Sequence, residues 1–270
     1  MSHVLRLTNQ KTDRSIAGGK AMSLHELHQT GADVPNGFTV TTQSYRDHLE
    51  KIALGDVDTY LSTGDLGAKA AELREEILET AVPAAVSEQI LQIYDDEFAD
   101  DDRVAVRSSA TAEDMEEASF AGQQDTYLNV RREELIERVK ECWASLFTKR
   151  ACVYRERNDI SHADAEMAVV VQQMVDATVS GVLFTSDPVS GDDEMTIESA
   201  WGLGEGVVAG EVTPDRFVVD GETGEVLTTD LSTKRQQYTW SGDDTELIAV
   251  PEEKQESRTL TDEQIQTLWT

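Results

Sequence analysis

Two cations in the sequence stand in surroundings suited to phosphate. Lys20 follows Gly18 and Gly19 and precedes the helical pattern Ala21-Met22-Ser23-Leu24-His25-Glu26-Leu27, with Gly31 placed to end that helix. Glycines and an ammonium at the start of a helix bring N–H groups and positive charge to an anion. The spacing and the residue after the lysine differ from a Walker loop. Arg107 follows the apolar run Val104-Ala105-Val106 and precedes Ser108, Ser109 and Thr111. A cation and three hydroxyls are thus expected where a buried strand ends. A polar loop over 111–119 follows, then Phe120-Ala121-Gly122, then a returning strand over Gln123–Val130 that carries Thr126. A strand, a hydroxyl-rich loop, a glycine and a second strand suit a lid over phosphates. Hydroxyls and backbone N–H groups donate to phosphate oxygens, Gly122 permits close backbone approach, and arginine supplies a planar fork. The same stretch also fits a surface hairpin with an incidental arginine.

Other chemistry-bearing residues carry less. Gly204, Gly206 and Ala209 match a relaxed G-x-G-x-x-A dinucleotide fingerprint, yet Pro214 leaves little room for the helix that a parallel crossover needs. Asp95, Asp96 and Asp100–Asp102 fit a solvated acidic loop better than a divalent-ion site in so acidic a chain. His25 and His28 fit a solvent-facing helix surface. Cys142 and Cys152 fall in one expected helix, roughly 15 Å apart at the helical rise, too far to bridge. They read as buried thiols of a reducing compartment.

The elements around these residues follow from periodicity and punctuation. Strands are expected at Val4–Leu7, Thr39–Val40, Val179–Phe184 and Met195–Ser199, with a hairpin of Arg216–Asp220 and Glu225–Thr229 about Gly221–Gly224. Val34-Pro35-Asn36-Gly37-Phe38 reads as a turn, and Ala168–Val171 and Val175 frame Gln172-Gln173-Met174. Helices are expected from Thr41 or Thr42 to Leu54, over Ala68–Ala81, over Pro83–Phe98 and over Glu133–Arg157. The last of these buries Leu135, Val139, Cys142, Trp143, Leu146 and Phe147. The 55–67 segment reads as loop, and Thr261 with Gln264 forms a capping box for a final short helix.

The 270 residues can bury a substantial core in one domain or two lobes. Asp plus Glu number 53 against 23 Lys plus Arg, a formal charge of -30, which argues against nucleic acid or an anionic membrane as partner. With 39% apolar residues and periodic segments throughout, the chain reads as folded with an acidic coat. Such a coat suits a cytoplasm of very high salt, where screening suppresses self-repulsion. No apolar run approaches a membrane span and the N-terminus has no signal-peptide core, so a soluble cytoplasmic protein is expected.

Taken in order, several motifs resemble the N-terminal nucleotide-binding domain of the pyruvate, water dikinase (phosphoenolpyruvate synthase) family. They are Gly18-Gly19-Lys20, Val34–Phe38, Val106–Asp114, Ser119–Gln124, Gly181–Thr185 with Asp187-Pro188, and Gly202–Glu205 through Pro214-Asp215. The resemblance spans nearly the whole chain and implies an α+β ATP-grasp with lobes of about 1–173 and 174–270. It implies that Lys20 and Arg107 hold the triphosphate of ATP as the catalytic cations, that Gly122 and Thr126 belong to a phosphate-covering loop, and that Gln172 lies at a hinge beside the adenine. It also implies Mg2+ bridging phosphate oxygens. The reaction implied is ATP, pyruvate and water giving phosphoenolpyruvate, AMP and phosphate, with a phosphoryl group passing through a histidine. A rifamycin-type phosphotransferase and a non-catalytic nucleotide-binding module are the alternatives.

Departures from the family are equally informative. None of His3, His25, His28, His48 or His162 has the family's phosphohistidine setting, and no segment resembles its pyruvate barrel or its metal-binding strand. Metal ligands are therefore expected beyond residue 270, with phosphohistidine and pyruvate-binding domains supplied elsewhere and the chain alone inactive. Trp269 is expected to be left unburied near an open sheet edge, which favours self-association.

Overall fold

The computed structural model describes residues 2–8, 13–99, 101–111, 126–186, 191, 193–242 and 244–269. The chain is a mixture of helix and antiparallel sheet. It divides into two compact units, Met1–Met174 and Val175–Thr270.

In chain order, the first unit holds β1 (Val4–Arg6), α1 (Arg14–Gln29), β2 (Gly37–Val40), α2 (Thr42–Lys51), α3 (Val57–Ser62), α4 (Leu66–Glu79) and α5 (Ala84–Glu97). It continues with β3 (Val104–Ala110), β4 (Thr126–Val130), α6 (Leu135–Ser145), α7 (Lys149–Arg157) and β5 (Met167–Gln173). The five strands form one sheet in the order β1-β2-β5-β3-β4, every neighbouring pair antiparallel. Pleating divides β3 and β5 between two faces. Val104, Val106 and Ala110 of β3 and Met167, Val169 and Val171 of β5 join the main core with Leu73 and Ile77 of α4, Ile90 and Tyr94 of α5 and Trp143 of α6. Val170 turns to the opposite face, where Ala17 and Ala21 of α1 cover it. The cross-strand partners Arg107↔Val170 and Ala105↔Gln172 place Arg107 and Gln172 on that second face too.

Side-chain caps fix several helix starts. Asp13, Asp56, Asp65 and Thr148 accept from Ser15, Thr59, Ala68 and Ala151 N–H groups. Two sequence expectations fail for this reason. The 55–67 segment is not all loop, because Asp56 caps α3 and Leu61 is buried to 2%. The single helix expected over 133–157 is two, because Thr148 leaves helical geometry and starts α7 with its own hydroxyl. Cys142 and Cys152 therefore lie on different helices, both buried and neither in a disulfide. The apolar stripe read from the sequence is nonetheless buried as expected, from Leu135 through Phe147.

The second unit holds β6 (Val179–Phe184), β7 (Glu194–Trp201), α8 (Glu205–Val208), β8 (Asp215–Asp220), β9 (Val226–Asp230), β10 (Gln236–Trp240), β11 (Thr245–Ala249), α9 (Glu252–Gln255) and α10 (Asp262–Trp269). Strands β6 to β9 form an antiparallel meander, and β10 and β11 a separate hairpin. Met195, Ile197, Phe217 and Val219 of the meander pack under Leu260 and Ile265. The Thr261–Gln264 capping box is present in both directions. Trp269 is not left unburied. It packs on the β8–β9 turn, where Gly224 has φ +72° and would meet its ring with any Cβ, and its indole Nε1 donates to the Gly221 carbonyl at 3.0 Å.

A buried ion pair ties this unit together. Lys234 Nζ donates to Asp215 Oδ1 at 2.6 Å, with both side chains at 0% exposure. Asp215 also accepts from Ser232 N, and from Thr259 N and Oγ1. One carboxylate thus joins β8 to the segments before β10 and α10, with its acceptor capacity filled as burial demands.

Candidate functional site

The sequence-predicted cations meet on the α1 side of the first sheet. Helix α1 is broken at Gly18, which adopts φ 75° and ψ 174° inside an otherwise helical run. A Cβ there would lie 2.0 Å from the Ser109 carbonyl oxygen. Only glycine provides both the left-handed φ and that approach to β3. After the break the helix resumes through Gly19 and Lys20, and the Lys20 ammonium donates to the Ser108 carbonyl at 2.7 Å. Lys20 is thus seated on the backbone of the residue that follows Arg107.

Arg107 lies in the middle of β3, not at its end. The strand runs to Ala110, because Arg107, Ser108 and Ser109 all stay in register with β5. Three polar residues after an apolar triplet look like a strand terminus, whereas here the sheet pairing overrides them. Arg107 Nη1 donates to Gln172 Oε1 at 3.3 Å, and Gln172 Nε2 donates to the Pro35 carbonyl at 3.4 Å. Gln172 occupies the diagonal position on β5, within reach of a long side chain. On the other side of β3, Thr126 is the direct cross-strand partner of Arg107 and stands exposed at the start of β4.

Arg107, Gln172 and Thr126 therefore share one sheet face with α1, and Lys20 reaches the strand from that helix. Gly122 and most of the loop after Thr111 lie outside the described residues. The serine hydroxyls differ from expectation. Ser108 and Ser109 are both buried at 0% exposure, and Ser109 Oγ is committed to α1. Thr111 N donates to the Glu166 carbonyl. The Ser109 hydroxyl thus holds the scaffold, a role that burial reveals and residue type does not.

Other candidates resolve differently. The glycine-rich 202–206 run does not begin a dinucleotide fold, since α8 has four residues and β8 returns antiparallel to β7. Gly202, at φ +78°, instead lets the chain pass against the Tyr238 carbonyl. In the acidic run, Asp95 pairs with Arg132 and Asp102 accepts from Ala99 N. Among the described residues no group of three or more His, Cys, Asp or Glu is placed to hold a metal ion. His162 is buried and accepts on Nδ1 from Arg155 Nε at 3.0 Å, while its backbone N–H donates to Asp58. Burial, then the neighbouring guanidinium, hold His162 below the ordinary imidazole pKa. A groove of about 400 Å³ between β6 and α10, lined by Val179, Gly181, Leu183, Gln264 and Leu268, contains none of the predicted residues. No helix among the described residues is long and apolar enough to cross a membrane.

Comparison with known proteins adds an independent line. The sequence model of the family described as pyruvate phosphate dikinase, AMP/ATP-binding domain, matches residues 14–270. A probable phosphoenolpyruvate synthase of Methanothermobacter thermautotrophicus is 43% identical over 96% of this chain and 40% of its own length. A rifampicin phosphotransferase of Bacillus subtilis is 39% identical over 95% of the chain and 30% of its own length. A prodigiosin synthesizing transferase of Serratia marcescens is 41% identical over 98% of the chain and 29% of its own length. The chain thus spans well under half the length of these relatives.

Proposed function

The chain belongs to the pyruvate phosphate dikinase AMP/ATP-binding domain family, and on that premise we propose that it binds ATP and delivers a phosphoryl group to a histidine on a separate domain. The observation that carries this is the convergence of Lys20, Arg107, Gln172 and Thr126 on the α1 side of one sheet. Two cations standing beside strand backbone and a glycine break suit a polyphosphate. In phosphoryl transfer, charge develops on oxygens that the protein only has to position and neutralise. Lys20 and Arg107 fill that role, Thr126 offers a hydroxyl beside Arg107, and Gln172 offers an amide to the nucleotide while steadying the guanidinium. Gly122 is assigned to the phosphate-covering loop on sequence grounds alone.

The fold that goes with this reading is an ATP-grasp, with the two units as its lobes. The parent activity is that of a phosphoenolpyruvate synthase, which turns ATP, pyruvate and water into phosphoenolpyruvate, AMP and phosphate. Relatives whose printed names carry rifampicin and prodigiosin match the same domain at similar identity, so the shared part is nucleotide use and the acceptor is set elsewhere. A dikinase step calls for a divalent cation on the phosphates. The described residues offer no cluster for one, so no residue is assigned to Mg2+.

The test is transfer in trans. The chain is incubated with ATP labelled at its β-phosphate and with a separately produced phosphohistidine domain of a family member. Acid-labile label on the histidine domain is expected. Nucleotide binding without label would mark a non-catalytic nucleotide module, and no binding at all would contradict the assignment.

A further inference from the structure

We propose that Ser109 is the positioning residue that holds Lys20 beside Arg107, an inference that rests on the phosphate-site reading above. Its hydroxyl lies at the break in α1 and is used twice. Ser109 Oγ donates to the Ala17 carbonyl at 2.9 Å, before the break, and accepts from Ala21 N–H at 3.2 Å, after it. Helical bonding is interrupted at Gly18 and the N–H groups of the resumed helix lose partners there. Ser109 therefore caps the second segment from a different element, as an N-cap side chain does from within. The arrangement is fully buried, with Ser109, Ala17 and Ala21 between 0 and 2% exposed.

The geometry connects this cap to the cations. Ser109 is two residues beyond Arg107 on the same face of β3. Ala21, whose N–H it receives, is the neighbour of Lys20, whose ammonium sits on the Ser108 carbonyl. Gly18 allows the backbones to approach closely enough for the hydroxyl to span the break, since any Cβ would lie 2.5 Å from Ser109 Oγ. One hydroxyl thus sets the height of Lys20 along the strand that carries Arg107. Without it, the buried Ala17 carbonyl and Ala21 N–H lose this partner, and the helix start is free to shift relative to β3.

The experiment uses Ser109→Ala, with Ser109→Cys as a volume-conserving second variant, in wild-type and Lys20→Ala backgrounds. Affinities for ATP and adenosine are measured by calorimetry, and the Lys20 ε-methylene resonance is followed in chain labelled with 13C-lysine. Ser109→Ala is expected to shift the Lys20 resonance and lower ATP affinity about tenfold, with adenosine affinity unchanged. In the Lys20→Ala background it should cost no further ATP affinity, because the residue it positions is gone. Equal losses in both backgrounds, or an unmoved Lys20 resonance, would overturn the proposal and leave Ser109 a packing residue. Absence of any ATP affinity in the wild-type chain would instead remove the functional reading, while the resonance still decides the placement of Lys20.

Discussion

Arg107 donates through Nη1 to the side-chain oxygen of Gln172 at 3.3 Å, across the diagonal between β3 and β5. Gln172 is itself held by the Pro35 carbonyl, so one amide links the strand that carries the cation to the turn before β2. An aliphatic group in its place would remove one hydrogen bond from the guanidinium and one from the Pro35 carbonyl. Gln172→Ala is therefore expected to weaken ATP binding about five- to thirtyfold, for a hydrogen bond worth roughly 1–2 kcal/mol, and adenosine binding by less, because only the ATP complex also uses the steadied guanidinium. A loss confined to ATP, read by paired calorimetric titrations, would show that Gln172 acts only through Arg107.

The buried Lys234–Asp215 pair predicts a stability effect within the second unit. Lys234→Met leaves a buried carboxylate without its cation, at a cost of about 3–5 kcal/mol. Hydrogen exchange in the Val175–Thr270 unit should rise sharply, while the Met1–Met174 unit stays protected. Because the pair is sealed from solvent, the loss should be the same in dilute and concentrated salt. Unchanged protection in the second unit would refute the role given to this pair.

Acid should loosen the first unit through His162. Its folded pKa lies below the ordinary 6.5, from burial first and from the Arg155 charge second, with Asp58 and Glu156 opposing. An imidazole kept neutral in the fold gains its proton more readily when unfolded, so its contribution is present above about pH 6.5 and is lost as pH falls below it. His48, also held low by burial and by Lys140 and Lys51, acts in the same direction. His162→Asn keeps an acceptor for Arg155 but does not titrate. The stability advantage of wild type over this variant should shrink between pH 7.5 and 5.5 in chemical denaturation. A pH-independent difference would contradict the assignment.

How far the sequence spoke for the structure is best seen at particular residues. The apolar stripe of Leu135 to Phe147 was legible because helical spacing and burial coincide there. So was the Thr261–Gln264 cap, which is a purely local pattern. The break at Thr148 was not, because a threonine that starts a helix resembles one that continues it until its hydroxyl is located. The hairpin of β10 and β11 escaped notice because its strands mix Gln, Thr and Glu with the apolar residues and follow no clean alternation. At the site, Lys20 and Arg107 were visible from their glycine- and hydroxyl-rich settings. The commitment of Ser109 to α1 was not, since it spans 92 residues between donor and acceptor. The seat of Trp269 is hidden from the sequence for the same reason: it is a turn some 48 residues earlier.

The acidic surface carries a prediction of its own. We infer from a formal charge of -30 that the chain is adapted to concentrated salt. Screening lengths fall to about 3 Å near 1 M, which removes most of the repulsion between surface carboxylates. The thermal midpoint should therefore rise in molar KCl relative to dilute buffer. Equal midpoints would remove the inference.

Lys20 and Arg107 are proposed as the phosphate-binding part of a nucleotide site. In that role each would contribute a charge-assisted contact of roughly 1.5–3 kcal/mol to a phosphate, so about a tenfold or larger loss is expected on removal of either. The most direct measurement is calorimetric titration of wild type, Lys20→Ala and Arg107→Ala with ATP and with adenosine, alongside circular dichroism to confirm the fold. Both variants are expected to lose ATP affinity by about this factor and to keep adenosine affinity. ATP affinity unchanged in both variants would contradict the phosphate assignment.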